Sequence, residues 1–212
     1  MPLLHTKQLN PNTVLGIWQT KESLHELQAM LPPQADYTQI EQVNEKRKKE
    51  WLASRVLVYT LLRQFTAAPA VLLKNEYGKP YFAGHDIFVS ISHSPTLAAV
   101  IISDKHEVGI DIEPLSQKAL RVSGKFLSEA EKTFTNLEES QTCLYWSAKE
   151  TLYKLYSRKQ LIFKENLILA PTGKQNALAG QIITADFSKL YQIRYEFLQN
   201  HVLTYSVDDI ES

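Results

Sequence analysis

Hydrophobic and polar positions alternate strictly along Val108-Gly109-Ile110-Asp111-Ile112-Glu113. That period of two predicts a β-strand with Val108, Ile110 and Ile112 on one face and Asp111 and Glu113 on the other. At ~3.3 Å per residue the two carboxylates stand about 6.6 Å apart at Cα, close enough for both to lean onto one small cation. Gly109 shares their face and, lacking a Cβ, is expected to leave room there for a ligand backbone or phosphate. Alternating or short apolar runs predict further strands at Val14–Trp18, Asp86–Ser92, Leu97–Ser103, Asn166–Ala170, Gly180–Thr184, Tyr191–Phe197 and His201–Val207.

Helical spacing takes over elsewhere. Ser23-Leu-His-Glu26 has capping-box form and predicts a short helix ending at Pro32-Pro33. Thr38-Gln-Ile-Glu41 repeats the pattern and predicts a long helix to about Phe65, with Leu52, Val56, Tyr59 and Leu62 as its apolar stripe. Ser128-Glu-Ala-Glu131 is a third box, in which Glu131 is expected to reach back to the Ser128 amide. From Leu144 to Tyr156, Leu144, Ala148, Leu152 and Leu155 form an inward stripe while Trp146, Glu150 and Lys154 step by four along the opposite face. Glu150 before Lys154 is an ordinary i,i+4 pair. A tryptophan in line with that pair is costly to leave in water, so the face is expected to line a cleft.

Helix followed by antiparallel strands occurs twice, predicting an α+β chain in the manner of an α/β sandwich. Its two pseudo-symmetric halves, residues 1–104 and 105–212, each carry an antiparallel sheet packed by helices, with a cleft between them. Strand, turn and strand over residues 97–113 predict one ladder that brings Ser92 and His93 near the carboxylate strand, and the last strands predict a meander.

Composition narrows the chemistry. The 212 residues, 44% hydrophobic, can bury a core without staples. Cys143, the sole cysteine, excludes an internal disulfide, and no thiol or histidine cluster has structural-zinc spacing. No apolar h-region follows the N-terminus, and Leu97–Ile102, the longest apolar run, is too short to cross a bilayer. A soluble cytoplasmic protein is expected, with no membrane role. With 23 basic and 23 acidic residues the chain gives no electrostatic case for nucleic acid, so an acidic partner would meet a local patch. Lys46 to Lys49 with Arg55, and Lys118, Arg121, Lys125 and Lys132, are two such stretches, each either a solvated face or an anion or partner site. Gly78 and Pro80 predict a turn presenting Lys79. Ser92-His93-Ser94 invites a hydrolase reading, but no G-x-S-x-G elbow exists. His93 is expected as a strand-end anion ligand or a satisfied loop histidine.

Gly78-Lys-Pro80, Ser90-Ile-Ser-His-Ser94, Gly109-Ile-Asp-Ile-Glu113, Phe126-Leu-Ser-Glu-Ala-Glu131 and Trp146-Ser-Ala-Lys-Glu-Thr-Leu-Tyr-Lys154 follow one another in the order and spacing of a known family. The chain resembles the 4′-phosphopantetheinyl transferases of the surfactin-synthetase type. The resemblance implies Mg²⁺-dependent transfer of phosphopantetheine from coenzyme A to a serine of an acyl or peptidyl carrier protein, with release of adenosine 3′,5′-bisphosphate by a monomer. It implies that Asp111, Glu113 and Glu150 hold Mg²⁺ (or Mn²⁺) and that Lys154 reaches the phosphate bridging to the pantetheine. By the same resemblance Lys79, Ser92 and His93 touch the nucleotide's phosphates, Arg55 is a candidate for the 3′-phosphate, and Glu113 or Glu150 takes the serine proton. Glu131 departs from the family's Phe-x-x-x-Glu element by one residue when counted from Phe126. The rival readings are a non-catalytic module that binds a nucleotide or coenzyme A, and a metal-dependent hydrolase of pyrophosphate bonds.

Overall fold

The computed structural model describes residues 3–33, 35, 40, 42–158 and 160–209. The chain divides into two units, Met1–Glu107 and Val108–Ser212.

The first unit contains β1 (Leu3–Asn10), β2 (Thr13–Gln19), α1 (Leu24–Met30), α2 (Glu45–Leu62), β3 (Leu72–Lys74), β4 (Pro80–Phe82), β5 (Phe88–His93) and β6 (Leu97–Ser103). Its antiparallel sheet runs β1-β2-β6-β5-β4-β3. Central β2 and β6 are buried almost throughout, which is why they read as continuous apolar runs. The capping box at Ser23 and Glu26 forms as expected. α2 starts later than expected, at Glu45, because Asn44 caps it by accepting the Arg47 amide at 2.9 Å. The box expected at Thr38 and Glu41 lies outside the described residues. α2 also buries more than one stripe: Leu52 to Tyr59 is buried without a break, because the helix packs on the sheet from one side and under α1 from another.

The second unit contains β7 (Val108–Pro114), α3 (Gln117–Phe126), α4 (Glu129–Thr135), α5 (Glu139–Tyr156), α6 (Phe163–Asn166), β8 (Leu167–Pro171), β9 (Ala177–Ile183), β10 (Ser188–Leu198) and β11 (His201–Val207). Its sheet runs β7-β11-β10-β9-β8, an antiparallel meander that returns to the strand from which it set out. The first unit is wired the same way: β2 leads into helices, and the meander β3 to β6 returns to pair with β2. The pseudo-symmetry is therefore one of topology, with β1 added at the first unit's edge.

Two expectations fail here. β7 does not continue the ladder of β6: both edges of β6 are taken by β2 and β5, and β7 pairs with β11 from Val108↔Val207 to Pro114↔His201. Nor does Gly109 leave room for a ligand. A Cβ on it would lie 2.5 Å from the Thr151 carbonyl oxygen and 2.8 Å from Leu155 Cγ, so its missing side chain lets α5 seat on β7. Gly109→Ala is accordingly expected to lower stability by about 1–3 kcal/mol, the usual range for overpacking against groups that cannot yield. Gly124→Ala, on α3 with nothing within 4 Å, should stabilise by up to about 1 kcal/mol through helix propensity. Urea midpoints of both variants check the pair.

Candidate functional site

Because α5 sits this close to β7, its outward positions meet the polar face of the strand. Lys154 Nζ donates to the Ile110 carbonyl at 2.9 Å and to Asp111 Oδ1 at 2.9 Å. The salt-bridge partner of Lys154 is thus Asp111; the expected Glu150–Lys154 pair does not form, because β7 offers a carboxylate where the helix would otherwise face water. An ammonium has three donors, and Lys154 keeps one for a further acceptor. Glu113 Oε1 accepts the Trp146 indole N–H at 3.2 Å. Burial first, and Asp111 second, push the Glu113 carboxyl up against the pull of Trp146 and Lys154. Glu150 is raised further, to about 7, by burial and then by Asp111, with Lys154 opposing. Three carboxylates and one ammonium thus share a half-buried face, all close enough to feel one another.

Among the described residues no three His, Cys, Asp or Glu side chains are grouped so as to hold a metal ion. Asp111 is turned to Lys154 and Glu113 to Trp146. The donor set nonetheless fits Mg²⁺ in kind. It is all oxygen, and a carboxyl pushed up by burial and then by its carboxylate neighbours is one that a cation would relieve.

Trp146 has a second role. It stacks on Phe163 with ring centroids 5.6 Å apart and meets the edge of Phe126 at 5.1 Å. These rings, with Val122, Lys125 and Ile162, line an apolar groove of about 470 Å³ that begins beside Glu113's tryptophan partner. Its walls are pinned from within by Lys149, a residue to which the sequence reading gave no role. The fully buried Lys149 Nζ donates to the Phe126 carbonyl at 2.6 Å, the Phe163 carbonyl at 3.0 Å and Glu131 Oε2 at 2.8 Å. Glu131 completes the expected capping box with Ser128 and also accepts the Leu169 amide at 2.9 Å. Its role is therefore structural. Of the basic stretch in this unit, Lys132 is held by Glu129 at 2.8 Å.

The first unit gathers cations instead. Arg55 is buried, its guanidinium 4.5 Å over the Trp51 ring and donating to Ser54 Oγ at 3.1 Å. Burial pulls it down to about 10. Lys74, also missed by the sequence reading, is lowered by burial and then by the nearby Arg55 and Arg47; a lysine on a three-residue strand carries no pattern that would single it out. Arg47 bonds Glu50 at 3.2 Å and lies 3.5 Å from His93 Nδ1. His93 ends β5, with Ser92 buried one residue before it and thus on the other strand face. Lys79 sits on the expected turn, where Gly78 adopts φ 88°, and pairs with Glu107.

The comparisons with known proteins agree with this division. The model of the 4′-phosphopantetheinyl transferase N-terminal domain matches residues 35–103, and that of the 4′-phosphopantetheinyl transferase superfamily matches residues 107–206. The 4′-phosphopantetheinyl transferase gsp of Aneurinibacillus migulanus is 33% identical over 57% of this chain and 53% of its own length. The 4′-phosphopantetheinyl transferase AcpT of Salmonella typhimurium is 32% identical over 66% of this chain and 65% of its own. Enterobactin synthase component D of Escherichia coli is 30% identical over 65% and 63%. The chain thus spans between about half and two thirds of the length of these curated relatives. With one family's models accounting for both units, the chain belongs to the 4′-phosphopantetheinyl transferase superfamily.

Proposed function

We propose that the protein moves the 4′-phosphopantetheine arm of coenzyme A onto a serine hydroxyl of an acyl or peptidyl carrier protein. The observation that carries this reading is Lys154, set between helix and strand with one N–H donor unspent beside three carboxylates. A phosphate oxygen is the acceptor such a donor suits.

Asp111, Glu113 and Glu150 would hold Mg²⁺, which when bound supplies positive charge against the pyrophosphate. Lys154 donates to the phosphoryl group under attack and stabilises the charge that builds there. Of the two candidate proton acceptors Glu113 is tied to the Trp146 indole, which leaves Glu150 the freer to take the serine proton. The serine oxygen bonds to phosphorus, its proton passes to Glu150, and the phosphoanhydride bond breaks to release adenosine 3′,5′-bisphosphate. Within the second unit, the groove beside Trp146 suits the apolar part of a pantetheine arm; within the first, Arg55, Lys79, Ser92 and His93, with Arg47 and Lys74, are of the kind that contacts phosphates. Chromatography of the nucleotide products tests the reading. Adenosine 3′,5′-bisphosphate that accumulates only when apo carrier is added supports transfer. Equal release without carrier would make the protein a pyrophosphate hydrolase, and tight binding with no product would make it a binding module.

A further inference from the structure

Glu50 stands in a basic neighbourhood of the first unit, between Arg47 and His93, and nothing in the transfer chemistry proposed above uses it. It lies on α2 one turn after Arg47, and its side chain is 11% exposed. Glu50 Oε2 stands 3.2 Å from Arg47 Nη1 and 3.5 Å from His93 Nδ1, while Arg47 Nη1 and His93 Nδ1 are themselves 3.5 Å apart. An exposed acid placed at random beside a phosphate site would only repel the ligand. A buried acid in contact with two of its cations does something else. Without it, a guanidinium and an imidazolium at that separation repel each other, so they splay apart or the histidine gives up its proton.

We propose that Glu50 is a positioning residue that holds Arg47 and His93 side by side, so that they close together on one phosphate of coenzyme A. The inference rests on the proposed role of His93 as a phosphate contact. Arg47 and Glu50 of α2 face the His93 ring; β6 presents Ala98 at the position paired with it. Lys74, which feels both Arg55 and Arg47, is the next cation of the cluster. With Glu50 against both, Arg47 and His93 stay aligned toward a single acceptor.

The sign of the effect separates this role from simple repulsion. If Glu50 only opposed the anion, Glu50→Gln would bind coenzyme A more tightly. Positioning predicts the reverse: coenzyme A affinity, measured by calorimetry on the full chain, falls about 10-fold near pH 7, the effect of weakening one charge-assisted contact. It also predicts a pH signature that a merely structural glutamate would not move. Affinity is lost as His93 deprotonates, and without its carboxylate His93 does so at lower pH, so the midpoint of the loss moves down by about one unit in Glu50→Gln. Glu50→Asp, which keeps the charge on a shorter stem, should weaken binding and keep the midpoint; it serves the same test if the glutamine variant does not fold. Glu50→Gln combined with His93→Gln should bind no worse than His93→Gln alone. Tighter binding, or an unmoved midpoint in Glu50→Gln, would overturn the positioning role. Unchanged affinity in His93→Gln would instead overturn the reading of His93 as a phosphate contact.

Discussion

Replacing Lys154 by alanine is expected to lower kcat for carrier modification by about 10²–10³-fold, the scale of losing one preorganised donor in a water-poor site. The structure also changes what the substitution does to stability. Were Lys154 the end of a solvated i,i+4 pair, its loss would cost at most about 0.5 kcal/mol. Its partner is instead Asp111, which is 3% exposed, so a buried carboxylate loses a charge-assisted bond and the cost rises to about 1–3 kcal/mol. Rates must therefore be compared per folded molecule, at a temperature below both melting midpoints. Lys154→Arg should restore the pair with Asp111 better than the rate, because a planar fork does not reproduce a compact ammonium aimed at one phosphate. A folded Lys154→Ala enzyme with near-normal kcat would return this lysine to a purely structural role.

Lys149→Met is expected to act first on folding, and heavily. Its ammonium satisfies Glu131 and the carbonyls of Phe126 and Phe163 where no water reaches. Removing one partner of a buried pair leaves the other as an uncompensated charge, which costs about 3–5 kcal/mol. The double variant Lys149→Met/Glu131→Gln should recover part of that loss, since it removes the orphaned charge. Denaturant unfolding of the single and double variants measures the coupling. A single variant within about 1 kcal/mol of the parent, or a double variant less stable than the single, would contradict the role. Because the carbonyls that Lys149 holds belong to Phe126 and Phe163, which line the groove proposed for the pantetheine arm, whatever fraction folds is also expected to bind coenzyme A more weakly.

How far the sequence reaches is visible in these two lysines, which lie five positions apart on one helix. Lys154 was legible as part of a polar stripe with Trp146 and Glu150, opposite a strand whose alternation exposed Asp111 and Glu113. Lys149 was hidden because a lysine beside a glutamate reads as surface. The signal was there in its spacing from the buried Tyr145 and Leu152, which puts it on the inward side of α5. Local chemistry is legible in the sequence: the capping boxes at Ser23 and Ser128, the Gly78 turn and β11 stand where the residue pattern puts them. Long-range choices were not. Nothing within residues 97–113 says that β7 will leave β6 and pair with a strand some ninety positions on; that outcome is decided by which sheet edges are already filled. Short or edge elements escaped too. β1 is largely exposed and polar, β3 and β4 have three residues each, and α3 shows only the stripe Ala119, Val122 and Phe126 in a basic segment.

Intact-mass measurement of an apo carrier protein, incubated with this chain, coenzyme A and Mg²⁺, tests transfer most directly. The account predicts that the carrier gains one phosphopantetheine on its serine, that a chelator abolishes the gain, and that a Lys154→Ala enzyme slows it by the factor given above. A carrier that stays at its starting mass while coenzyme A is bound or cleaved would contradict it.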